Sequence, residues 1–180
     1  MMRSTVLRWL AAAALFAASG ANALAAQRQA SLPCIPSADA EALFVYVLPD
    51  LVREVGNRCA SALPASAYLR TGTGRLTARY ADEGARTWPA ARRALGALVG
   101  DENLAFLDSQ FARPMVGALA GPLIAARVDV ADCPVIDRAL ALVEPLPPRN
   151  TAALLVLFAQ IDARAQNSRT RALNICPLPR

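Results

Sequence analysis

Arg70, Arg75 and Arg79 are the residues of this chain whose type and spacing most clearly offer chemistry. The run Arg70-Thr71-Gly72-Thr73-Gly74-Arg75 sets two glycines ahead of a helical stretch. Glycines there expose backbone N–H groups, and helix N-termini attract anions. Arg75 and Arg79, at i and i+4, share a helix face and can grip a phosphate, sulfate or carboxylate bidentately. The segment is not a P-loop, since it lacks the Gly-Lys-Ser/Thr ending and a preceding strand. Its plainer reading is a glycine-bearing turn followed by a solvated helix face. Arg86, Arg92 and Arg93 extend the basic character, and Asp82 and Glu83 interrupt it.

Missing residue types narrow the chemistry further. The chain has no histidine, and every basic residue is arginine. Ser-His-Asp and Cys-His machinery, histidine-ligated zinc and histidine pH switches are therefore excluded. So are lysine Schiff bases and lysine general bases. Carboxylates, or tyrosine with arginine, are what an enzyme would have to use. The adjacent pairs Asp82-Glu83 and Asp101-Glu102 point about 100° apart on a helix and need not converge. Asp50 with Arg53, and Glu54 with Arg58, have the spacing of ordinary helical ion pairs. Asp129 and Asp132 bracket a turn, where Asp132 reads as a helix cap. Trp88, Tyr46, Tyr68 and Tyr80 read as core or core-edge residues. No catalytic residue, metal site or cofactor is predicted.

The elements that position these residues follow from periodicity. Ala and Leu dominate, aromatics are few, and strand-like alternation is scarce, which predicts an all-α, multi-helix domain. A helix opens at Ser37, which reads as its N-cap, and carries apolar positions through Cys59, with Pro49 either kinking or breaking it. Between Ser66 and Gly100 the Arg70–Arg75 loop leads into a short helix to about Glu83. A further helix is opened by Thr87-Trp88-Pro89 and stopped by Gly100. Asp101 reads as the cap of a helix whose apolar face is Leu104, Leu107 and Phe111. Pro114 and Pro122 divide Met115 to Val128 into two short buried pieces. A helix from near Pro134 ends at Pro145-Leu146-Pro147-Pro148, and another runs from Asn150 or Thr151 to about Gln166.

The N-terminus carries an address. Arg3 and Arg8 form a positive n-region, Leu10 to Ala18 an apolar h-region, and Ala23-Leu24-Ala25 a small-x-small cleavage site. Residues 1–25 are expected to be a cleaved signal peptide, and residues 26–180 one exported helical domain without stable membrane insertion. Loss of Arg3 and Arg8 takes the formal charge from +5 to 5 − 2 = +3. The low aromatic content offers no stacking platform, so nucleic acid is not an expected partner.

A periplasmic or secreted location gives the even set Cys34, Cys59, Cys133 and Cys176 a ready reading as two disulfides. A four-thiolate zinc site would need close CxxC pairs, which are absent. Hairpin logic favours Cys34–Cys59 with Cys133–Cys176. The first of these requires chain reversal near Pro49, because a continuous helix there is ~37 Å long and a disulfide needs Cα atoms within ~7 Å. These features predict a binding protein for an envelope protein partner. The alternatives are a binder of a small anion or acidic glycan through Arg70, Arg75 and Arg79, and a carboxylate-dependent envelope hydrolase or lyase.

Overall fold

The computed structural model describes residues 33–100, 104–164 and 173–178. The expected signal peptide, the Asp101 cap, the Asp101-Glu102 pair and the helix end at Gln166 lie outside them. Among the described residues the fold is all-α, with seven α-helices, one 3-10 turn and no strand. The helices are α1 (Ser37–Cys59), α2 (Tyr68–Thr71), α3 (Thr73–Val99), α4 (Leu104–Leu107), α5 (Ala112–Ala125), α6 (Cys133–Val143) and α7 (Pro148–Arg164). α1 is the hub against which α3, α5 and α7 pack.

α1 neither breaks nor reverses at Pro49. Its apolar phase through Leu48, Val52, Val55 and Cys59 keeps one face buried along 23 residues. Proline forgoes one i→i−4 bond, and burial of the rest of the stripe outweighs that loss. α3 likewise runs on for 27 residues with Pro89 inside it, so Thr87-Trp88-Pro89 does not open a new helix. Gly100 ends α3 as expected, at a positive φ of 83° that favours glycine.

The continuous course of α1 overturns the expected disulfide pairing. It sets Cys34, ahead of its start, and Cys59, its last residue, at opposite ends of a helix ~35 Å long. The bonds are instead Cys34–Cys176 and Cys59–Cys133, with Cα separations of 4.8 and 5.6 Å. Cys176 is brought to Cys34 by a parallel bridge between Ile35 and Ile175. There the Ile35 N–H donates to the Asn174 carbonyl (2.7 Å), and the Cys176 N–H to the Ile35 carbonyl (2.9 Å). Buried Gln160 of α7 completes the clasp, its amide donating to the Cys176 carbonyl (2.6 Å) and to Ser37 Oγ (2.9 Å). Ser37 therefore accepts from α7; it does not cap its own helix. Cys59–Cys133 lies in the main core beside Val55, Leu63, Leu69, Leu76 and Tyr80.

Other local expectations change for identifiable reasons. Asp129, not Asp132, caps the turn ahead of α6, its carboxylate accepting from the Ala131 N–H at 2.9 Å. α7 starts at Pro148, ahead of Asn150 and Thr151, since proline suits a first turn. α4 is a single turn that buries Leu107 and leaves Phe111 exposed beyond its end.

The largest departure is α5. Met115 to Val128 does not form two buried pieces, because one helix continues through Pro122 to Ala125 and turns its large residues outward. Its buried seam is Gly117, Gly121 and Ala125. A Cβ on Gly121 would lie 3.0 Å from the Asp50 carbonyl oxygen and 3.1 Å from its carbonyl carbon. One on Gly117 would meet the Asp50 carboxylate. The missing side chains let α5 lie directly on α1, and that approach decides which residues face inward.

Candidate functional site

The predicted anion-binding residues sit at the junction of α1, α2, α3 and the end of α6. Arg70, at the end of α2, turns back on the chain and donates to the carbonyls of Ala60 (3.3 Å) and Leu63 (3.1 Å). Arg75 and Arg79 occupy one face of α3, as their spacing requires, and both reach Glu144. Arg75 Nε pairs with Glu144 Oε1 at 3.0 Å, and Arg79 donates to the Glu144 backbone carbonyl. The carboxylate on Arg75 and the carbonyl on Arg79 thus both come from the chain's own Glu144. Arg75 is largely exposed, so the pair is a weak tie in free-energy terms.

A groove of about 680 Å³ runs between α1 and the start of α3. Arg53, Gly56 and Asn57 line one wall, and Thr73, Gly74 and Thr77 the other. α1's contribution was not legible in sequence, because nothing in local spacing brings residues 53–57 opposite residues 73–77. Arg53 is engaged by Asp50 at 2.5 Å and Glu54 at 3.5 Å. Glu54 therefore pairs with Arg53, whereas Arg58 donates to the Val128 carbonyl at 2.7 Å. Asp137 was likewise not singled out. Its carboxylate accepts from the Leu69 N–H (2.7 Å) and ties α6 to the first turn of α2.

Several other carboxylates are occupied in the same way. Asp39, nearly buried, receives Arg93 on both oxygens at 2.6 and 3.1 Å. Glu83 holds Arg86 (2.7 Å) and Arg149 (2.6 Å), and these hydrogen bonds lower its pKa below the ordinary carboxylate value. Asp108 pairs with Arg92. The tyrosines offer no low-pKa phenol, because burial pushes Tyr46, Tyr68 and Tyr80 up. Proton abstraction near neutral pH would need the opposite shift. No group of acidic and cysteine side chains suited to a metal ion occurs among the described residues.

Trp88 is half-buried and packs on Tyr46 with ring centroids 4.8 Å apart. Arg113, at the start of α5, lies over the Trp88 ring at 5.7 Å, and the Tyr46 hydroxyl donates to the Arg113 carbonyl at 2.7 Å. This cluster locks the N-terminal end of α5 to α1 and α3 and engages the one charged side chain of that helix. The rest of α5 presents an uncharged outer surface. Phe111, Met115, Leu119 and Leu123 follow one another at i+4 spacing, with exposures of 62, 43, 54 and 68%.

No protein-family profile, curated protein or solved structure compared with the chain matches it.

Proposed function

We propose that this domain works by binding a protein partner through the outward face of α5. The observation that carries the reading is the inverted helix itself, with glycine and alanine inside and Phe111, Met115, Leu119 and Leu123 outside. Large apolar side chains in a continuous row on the surface are costly to leave in water and mark contact sites. At ~21 Å the helix matches the reach of a helix-sized groove on a partner. Occupied carboxylates and raised phenol pKa values support binding over turnover. Two disulfides, and no described helix long and apolar enough to cross a membrane, fit an oxidising compartment. We take this to be the periplasm or the outside of the cell, with an envelope protein as partner.

Replacing Leu119 and Leu123 together by Glu tests the proposal. The expected result is partner capture weakened at least about tenfold, as loss of apolar anchors typically gives, with the helical circular dichroism unchanged. Val135→Glu, on exposed α6, is expected to leave capture intact. Full capture by the α5 double variant would sink the idea.

The convergence of Arg75 and Arg79 favours a second reading, binding of a small anion or acidic glycan. An external anion must displace the Glu144 carboxylate from Arg75 and the Glu144 carbonyl from Arg79, and a substitution at 144 frees only the first. Glu144→Gln is therefore expected to raise sulfate affinity measured by calorimetry, and Arg75→Ala with Arg79→Ala to abolish it. Failure of Glu144→Gln to bind sulfate would leave the arginines as a structural tie.

A further inference from the structure

Beyond the outward face of α5, its next stripe lines a partly open cavity of a different kind. Val116, Ala120 and Ile124, again at i+4 spacing, form one wall. Leu43 and Phe44 of α1 and Leu98 of α3 stand opposite, and Leu173 and Ile175 of the C-terminal segment close a further side. The cavity measures about 190 Å³, and every side chain lining it is apolar. Ile124, 44% exposed, also reaches solvent.

Size and lining decide the ligand class. A polar or charged molecule would lose hydration here and find no side-chain partner. A dry apolar cavity of ~150 Å³ holds benzene, and this one is slightly larger. The wall formed by Leu173 and Ile175 is held in place by the Ile35–Ile175 bridge, the Gln160 clasp and Cys34–Cys176. The cavity is therefore built into the covalent frame.

We infer that this cavity is a binding site for an uncharged hydrocarbon group of about benzene size, either a small free hydrocarbon or the end of an aliphatic chain. Titrating the oxidised protein with toluene, followed by ligand-observed NMR, tests this. Saturable one-to-one binding is expected, weakened at least about tenfold when Ala120→Leu or Val116→Phe fills the space, since the ligand's apolar contacts are then lost. Displacement of toluene by octanoate assigns the site to a chain end, and toluene binding that octanoate does not displace assigns it to a free hydrocarbon. Absence of saturable toluene binding, or equal affinity in wild type and both folded variants, would overturn the inference.

Discussion

Gly121→Leu is expected to lower stability by about 1–3 kcal/mol, the range for overpacking a close contact. For a domain of this size that lowers Tm by up to roughly 10 °C. The atoms a side chain would meet are the Asp50 carbonyl carbon and oxygen, which belong to the continuous helix α1 and cannot rotate away. Gly121→Ala distinguishes packing from helix propensity. Alanine gains about 1 kcal/mol over glycine in a helix, which offsets part of the close approach of its Cβ to the Asp50 carbonyl and Glu54 Cγ at 3.0–3.2 Å. Its Tm is expected to fall by less than that of the leucine variant. A leucine variant as stable as the alanine one, by thermal or urea unfolding, would mean that α5 does not lie directly on α1.

Removing Cys59–Cys133 is the other large effect. The bond joins positions 74 apart in sequence, and both cysteines are completely buried. Chain-entropy arguments give roughly 4 kcal/mol for a loop of that length, with measured losses of native bonds of about 2–5 kcal/mol. Cys59→Ala with Cys133→Ala should therefore lower Tm by on the order of 10 °C. Non-reducing peptide mapping of the wild type is expected to yield one linked pair containing Cys59 and Cys133, and another containing Cys34 and Cys176. A Cys34–Cys59 peptide would contradict the fold, because α1 holds those residues a full helix length apart.

These two effects also show where sequence reasoning reaches and where it stops. The helical class was legible from composition and apolar period, and so was the stripe of α1, but its continuity across Pro49 was left open and the favoured Cys34–Cys59 pairing required a reversal there. Proline was then weighed too heavily in α3, where Pro89 looks like a helix start but lies inside 27 helical residues. Local signals also misled the cysteine pairing. Adjacent helices suggested hairpins, whereas the decisive contact is the non-local bridge between Ile35 and Ile175. In α5 the rule that large apolar residues go inside failed, because glycines at 117 and 121 allow the closer approach and take the interior. Arg75 and Arg79 were correctly placed on one helix face by spacing. That Glu144 stands against them depends on how α6 ends, which no local pattern announces.

The account rests on α5 as a contact surface, and cross-linking from a single position tests that most directly. A photo-reactive residue is placed at Leu119 in the protein as the cell exports it, and in parallel at Val135, which is more exposed but lies on α6. The account predicts one discrete adduct with a protein partner from position 119 and none from position 135. No adduct from 119, or the same adducts from both positions, would contradict it.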